Sequence, residues 1–264
     1  MAGSSPAVRT HAELEGEGPL IAMIHGIGAS TASWAGLVPL LRDRFACLSY
    51  DLRGHGRSEV VPGPTRLDDY VDDLAALFDQ RGIADAHLAG HSLGGVIAQA
   101  FALRYPERTR SAILVSTAAC RTAEEREAIL ALARTVEREG AAFIMERAME
   151  RWFTPAFQQA HPEVIARRKA GVLATDPAAF ADAFRVYAES DLGDALRGIA
   201  APTLILTGEN DVGSNPRIAR AMAERIPGAE VEILPELRHA VLLEAPALVA
   251  ERIAAFVTRV EAGR

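Results

Sequence analysis

Short apolar runs of four to six residues, set off by Gly, Pro or charged positions, recur at residues 20–24, 45–50, 86–89, 113–116, 203–207 and 231–234. Their length and bounding residues predict buried strands. Residues 8–14 predict an opening strand, closed by a turn at Gly16-Glu17-Gly18-Pro19. Between the runs, residues 67–80, 96–104, 216–226 and 247–260 carry apolar side chains at the three- and four-residue spacing of an amphipathic helix. Strands alternating with helices predict a parallel sheet covered on both faces, an α/β fold.

Residues 118–197 break this rhythm. Over roughly 80 residues no strand pattern occurs, and Arg- and Glu-rich helical stretches follow one another at 124–139, 141–151, 162–174 and 178–189. The expected organisation is an α/β core from residues 1–117 and 198–264 with a helical insertion at 118–197. A cap over the carboxyl edge of the sheet is the functional reading of that insertion; a packed subdomain with no part in the site is the plainer one. No internal repeat, low-complexity tract or flexible linker interrupts the chain.

Composition narrows the classes. With 264 residues, 49% apolar and 24% charged, the chain has globular proportions, and at this length about three quarters of the unfolded surface can be buried without disulfides or a structural metal. The net charge of −7 has no block of like charge, which argues against nucleic acid as a partner. The first 20 residues have no apolar leader segment, and nothing approaches the ~18 consecutive apolar residues of a membrane span. A cytoplasmic monomer or homodimer with no membrane contact is expected.

The most informative stretch is Gly90-His91-Ser92-Leu93-Gly94, which follows one predicted strand and leads into a predicted helix. This is the context of a nucleophile elbow, in which a tight turn between small residues strains the serine backbone and presents its oxygen at a helix N-terminus. A serine hydroxyl needs a base, and the base an orienting acid. His239 follows the run at 231–234, and Asp211 follows the run at 203–207; Glu209, two residues earlier, is a rival acid that spacing alone leaves open. His25 and His55 precede the nucleophile in Gly-rich turns, where structural hydrogen bonding is their expected role, and His91 points from a different place on the elbow. An oxyanion site also needs backbone N–H donors. Leu93, directly after the nucleophile, and Ile27, in the turn His25-Gly26-Ile27-Gly28, are the candidates. No histidine or carboxylate cluster has metal-ligand spacing, so no metal is expected.

Taken together, His25-Gly26-Ile27-Gly28, the segment from Asp51 to Ser58, the elbow at Ser92, and His239 followed by Glu244-Ala245-Pro246 resemble the α/β-hydrolase superfamily over essentially the whole chain. Within it the chain most resembles 3-oxoadipate enol-lactonases, partly through residues 150–157 and 174–177. The resemblance implies the α/β-hydrolase fold of eight mostly parallel strands with a helical cap, a Ser92-His239-Asp211 triad, and no cofactor. Its strand order would put Cys47 three strand steps, roughly 14 Å, from the strand before Cys120, beyond the ~7 Å reach of a disulfide. Three positions depart from the family pattern: the loop from Asp211 to Pro216 is one residue longer, Arg238 stands where glycine is usual, and residues 180–184 differ from the enol-lactonase cap.

The expected activity is hydrolysis of a small carboxylic ester, a lactone such as 3-oxoadipate enol-lactone in first place, through an acyl-enzyme. A C–C bond hydrolase of ring-cleavage products would use the same triad but typically carries Trp after the catalytic histidine, where this chain has Ala240. Dehalogenases of this superfamily need Asp at the elbow. A ligand receptor of the same fold would keep the triad and turn over little. Trp152 is a candidate pocket residue, with cap core as its alternative. Because an enol-lactone carries a carboxylate, a cation is expected near it; Arg238, Arg151 and Arg185 are the candidates.

Overall fold

The computed structural model describes residues 8–263. Its sheet is built from β1 (Ala12–Glu15), β2 (Leu20–Ile24), β3 (Ala46–Tyr50), β4 (Ala86–His91), β5 (Thr109–Val115), β6 (Thr203–Gly208) and β7 (Glu230–Leu234), in the spatial order β1-β3-β2-β4-β5-β6-β7. Every neighbouring pair is parallel except β1 with β3. The helices are α1 (Val38–Leu41), α2 (Leu67–Gln80), α3 (Leu93–Arg104), α4 (Ala123–Glu139), α5 (Ala141–Trp152), α6 (Pro155–Ala160), α7 (Pro162–Ala174), α8 (Pro177–Glu189), α9 (Pro216–Ala223), α10 (Val241–Glu244) and α11 (Pro246–Ala262).

Strand residues alternate between two buried faces, as the two-residue period of a pleated strand requires. Ala22, Ile24, Leu48, Leu88 and Leu114 pack with α2, α3 and α9, while Ile21, Met23, Cys47, Ile113 and Val115 pack with Trp34, α1 and α11. Both faces are covered, which is why the central strands read as continuous apolar runs. Helices α4 to α8, between β5 and β6, bring a third cluster of their own, including Met145, Met149, Phe153, Val172, Phe180 and Phe184.

Several boundaries differ from the sequence expectation. Among the described residues the sheet has seven strands, not eight: β1 is its outer edge, three of its four residues are exposed, and Glu13 and Glu15 on it pair with Arg57 and Arg42. A charged edge of this kind ends a sheet instead of extending it. The opening strand begins at Ala12, four residues later than its apolar pattern suggests. α3 begins at Leu93, three residues before the predicted 96, because Gly94 and Gly95 serve close packing and not a loop; a Cβ on Gly94 would lie 2.1 Å from the Ile24 carbonyl oxygen. β5 starts at Thr109, ahead of its apolar run, since the buried Ser111 hydroxyl is satisfied by His87 Nδ1 at 2.8 Å. α6 was unforeseen; Thr154 caps it by accepting the Phe157 N–H, with Pro155 at the first helical position that tolerates a missing donor.

Cys47 on β3 and Cys120 beyond β5 lie three strand steps apart, and both thiols are free. No helix among the described residues is long and apolar enough to cross a membrane.

Candidate active site

Ser92 stands between β4 and α3 with φ 55° and ψ −117°, a conformation that L-residues rarely adopt. Its surroundings hold it there. The Ser92 N–H donates to the Val115 carbonyl (3.0 Å), and its carbonyl accepts from the Thr117 hydroxyl (2.7 Å) and the Gly95 N–H (3.0 Å). The flanking small residues are obligatory: a Cβ on Gly90 would fall 2.2 Å from the Gly94 oxygen, and one on Gly26 would meet Ser92 Cβ at 3.0 Å. Strand β4 thus aims the serine into a cavity at the carboxyl end of the sheet, with the positive end of α3 beneath it.

The loops after β6 and β7 bring the acid and the histidine together. Asp211 Oδ2 lies 2.8 Å from His239 Nδ1, and Oδ1 accepts the Gly213 and Ser214 N–H groups at 2.9 Å each. The loop that is one residue longer than the family pattern therefore wraps its own backbone around the carboxylate. Burial by itself raises the Asp211 pKa; the adjacent His239 and these hydrogen bonds outweigh it and hold the carboxyl below its ordinary range. Glu209 faces away, exposed, and accepts the Glu236 N–H at 2.9 Å. Gly208 lets the two loops meet, since a Cβ there would be 2.2 Å from the Arg238 carbonyl.

His91 and His25 are held by hydrogen bonds to the backbone around the site. His91 Nε2 donates to the His239 carbonyl at 3.1 Å; burial, together with His239 nearby, pushes the His91 ring down to about 3, so it is neutral. His25 donates from Nδ1 to the Gly26 carbonyl (2.7 Å) and accepts the Leu52 N–H on Nε2 (2.9 Å), which puts the ring proton on Nδ1. The segment from Asp51 to Ser58 supports the same region. Asp51 takes the Thr31 and Arg57 N–H groups at 2.7 and 2.9 Å, and Arg53 forms a buried pair with Asp73 at 2.6 Å.

Ser92, Asp211 and His239 line one cavity of about 670 Å³, with Ile27 on its wall. Leu93, wholly buried, opens α3, so its N–H has no acceptor within the helix. The rest of the wall is largely apolar, with Phe180, Phe184, Ala240 and Leu243, and its exposed part carries Arg138, Arg147 and Arg151. Arg147 and Arg151, one turn apart on α5, make no ion pair among the described residues.

Trp152 lines the cavity with its ring centroid 6.3 Å from that of His239, while also packing against the α4 to α8 cluster. Arg151 lines the cavity; the other two candidate cations do not. Arg238 donates to the Glu150 and Phe153 carbonyls, bracing the His239 loop against α5, and Arg185 is held by Asp182, Glu189 and the Thr65 carbonyl. Three cavity-lining cations are not among the sequence candidates: Arg138 and Arg147 on the exposed wall, and Arg168 on α7. Arg168 sits in a run of three basic residues, Arg167-Arg168-Lys169, and only the rotation of α7 tells which of them turns inward. Among the described residues no group of three or more His, Cys, Asp or Glu side chains could hold a metal ion.

A family model described as the alpha/beta hydrolase family matches residues 21–252. The chain is 30% identical over 228 residues to 3-oxoadipate enol-lactonase 2 of Acinetobacter baylyi, covering 86% of this chain and 84% of that one. Among solved structures, the enol-lactonase from Burkholderia xenovorans LB400 superposes with a TM-score of 0.87 at 29% identity, covering 95% of this chain and 97% of that one. A thermophilic esterase from Thermogutta terrifontis, solved with malate bound, gives 0.88 at 33% identity, covering 96% and 94%.

Proposed function

We propose that this chain, which belongs to the alpha/beta hydrolase family, is a serine hydrolase that cleaves a small carboxylic ester, a lactone in first place. The observation that carries the reading is the 2.8 Å contact between Asp211 and His239 in the same cavity as a serine held at φ 55°. Ser92 Oγ attacks the acyl carbon as His239 Nε2 takes its proton; the carbonyl oxygen, now negative, is received by the Ile27 and Leu93 N–H groups. Asp211 keeps the histidine proton on Nδ1 and stabilises the imidazolium. The C–O bond then breaks, His239 returns the proton to the leaving oxygen, and an acyl-enzyme remains. Water, deprotonated by His239, attacks that ester in the same way and releases the acid and Ser92. In a lactone the leaving oxygen stays tethered to the acyl group, so one ring-opened product leaves; from an enol-lactone it tautomerises to a ketone, which draws the reaction forward.

On this reading residues 118–197 cap the core formed by 1–117 and 198–264, with Trp152 and Arg151 facing the substrate. Likeness to two enol-lactonases, malate in the related esterase, and cations on the cavity's exposed wall all favour a substrate bearing a carboxylate. Ala240 in place of a Trp beside His239 disfavours C–C bond cleavage. The test is a panel of neutral lactones, carboxylate-bearing lactones and p-nitrophenyl acetate, with fluorophosphonate labelling of the wild type and of Ser92→Ala. Labelling and turnover that require Ser92 are expected; labelling that survives Ser92→Ala would overturn the assignment. Arg151→Ala is expected to raise KM about tenfold for a carboxylate-bearing lactone, ~1.4 kcal/mol, and to leave p-nitrophenyl acetate within about twofold.

A further inference from the structure

Three successive carbonyl oxygens in the loop after β2, those of Gly26, Ile27 and Gly28, each accept a hydrogen bond from a side chain. His25 Nδ1 supplies the first at 2.7 Å. Arg168 supplies the other two, Nη2 to Ile27 at 3.0 Å and Nη1 to Gly28. In a planar trans peptide the carbonyl and the following N–H point in opposite directions. His25 therefore orients the Gly26–Ile27 peptide from behind, and Arg168 fixes the two peptides that follow it. Gly28 has φ 60°, and a Cβ there would lie 2.8 Å from the Phe180 ring, so the same turn of chain is pressed against α8.

Arg168 is suited to this task. Its guanidinium lies over the Trp152 ring, 4.9 Å from the centroid, a cation–π contact that adds to its two hydrogen bonds. Burial pushes its pKa down to about 10, and among the described residues no neighbouring carboxylate counters that shift; it remains protonated at neutral pH and spends two donors on backbone oxygens. A rigid planar fork of donors holds two adjacent carbonyls in a fixed geometry, which the rotatable donors of a lysine ammonium on its flexible stem reproduce only in part.

We propose that Arg168 is a positioning residue: from α7 it holds the Ile27 and Gly28 carbonyls, fixing the two peptides that follow the one His25 orients, so that the turn cannot carry the Ile27 N–H out of line, and the seating of the helical segment and the assembly of the oxyanion site become one event. The proposal rests on the hydrolase reading above for what the Ile27 N–H does, and on the hydrogen bonds alone for the tether. Losing a whole oxyanion donor costs about 10²- to 10³-fold in kcat; a donor left in place but free to turn should cost less.

The experiment compares wild type, Arg168→Ala and Arg168→Lys on neutral p-nitrophenyl acetate and on a carboxylate-bearing p-nitrophenyl ester, and follows amide hydrogen exchange in residues 25–31 against residues 90–96. For Arg168→Ala we expect kcat to fall about 10- to 100-fold with KM within about threefold, and exchange to quicken in residues 25–31 but not in 90–96. Arg168→Lys should recover part of kcat, and it carries the kinetic comparison if the alanine variant does not fold. A rise in KM at unchanged kcat, or a defect confined to carboxylate-bearing esters, would make Arg168 a substrate-binding group and overturn the proposal. Unchanged exchange in residues 25–31 would overturn it as well. If the wild type shows no Ser92-dependent hydrolysis, the hydrolase reading fails, while the exchange comparison still decides whether the tether exists.

Discussion

Both ends of the sheet hold a serine, a histidine and a carboxylate. At the carboxyl end Ser92 shares a cavity with His239, which bonds Asp211 at 2.8 Å. At the amino end Ser111 Oγ lies 2.8 Å from His87 Nδ1, and His87 Nε2 lies 3.1 Å from Glu261 Oε1, with Arg110 joining the same glutamate. Judged by residue types and distances, the second group is the more complete. Yet Ser111 and His87 are wholly buried, neither lines the cavity, and Ser111 sits in an ordinary strand position on β5. A hydroxyl, an imidazole and a carboxylate in sequence serve equally well to satisfy polar groups inside a fold. What separates a reactive constellation from a structural one is a strained, presented serine, backbone donors without partners, and room for a substrate.

Removing the two serines should break the comparison most sharply. Ser92→Ala is expected to lower kcat for p-nitrophenyl acetate by about 10⁶-fold, whereas Ser111→Ala should leave kcat within about twofold. Its cost should instead be stability, about 1–3 kcal/mol by urea unfolding, because His87 loses a buried partner. A catalytic defect in Ser111→Ala that exceeds its loss of folded protein would erase the distinction.

The acids should follow in the same order with a smaller effect. Asp211→Asn is expected to cost about 10⁴-fold in kcat by freeing the histidine tautomer, while Glu261→Gln, and Glu209→Gln in the loop beside Asp211, should be nearly silent in kcat. A large loss from Glu209→Gln would reassign the acid.

The smallest effect concerns acid sensitivity of the carboxyl end. Burial lowers the pKa of His25, His55 and His91, with His55 beside His25 and His239 beside His91 acting in the same direction. For a group whose folded pKa is depressed, stability is complete above the unfolded value, ~6.5 for histidine, and is lost as pH falls toward the folded value. Each of these rings should therefore contribute a slope of up to about 1.4 kcal/mol per pH unit below pH ~6.5. Urea midpoints measured at pH 7, 6 and 5 should fall in that direction, and His55→Asn should flatten the slope. A midpoint that holds steady from pH 7 to 5 would contradict the neutral, buried state of these rings.

Much of this was legible from the chain alone. The apolar runs and their spacing carried the α/β class, because a strand covered on both faces has to be apolar throughout and a helix covering it has to be apolar on one side. The elbow was legible because its chemistry constrains neighbours in sequence: Gly90 and Gly94 are required by contacts within a few residues of Ser92, and by β2 directly below. Asp211 and His239 could be nominated because each follows a strand.

Other features depended on how distant segments meet. The local pattern of Asp211 and of Glu209 is the same, a carboxylate after β6, and only the approach of the β7 loop across Gly208 gives the histidine to one of them. Arg238, Arg151, Arg185 and Arg168 are alike in sequence as cations near turns or on helices. Three are told apart by what they reach: the Glu150 and Phe153 carbonyls for Arg238, Asp182 and Glu189 for Arg185, the loop after β2 for Arg168. Arg151, by contrast, is marked by the cavity it borders. Local sequence determined which backbone turns form and which residue types stand at them, since those are decided by sterics over a few bonds. The partners of Arg168 and Arg238 were decided only by tertiary packing, because they lie 85 to 141 residues away along the chain and nothing in the neighbouring sequence encodes them, whereas Arg185 pairs with Asp182 and Glu189 on its own helix, three and four residues off.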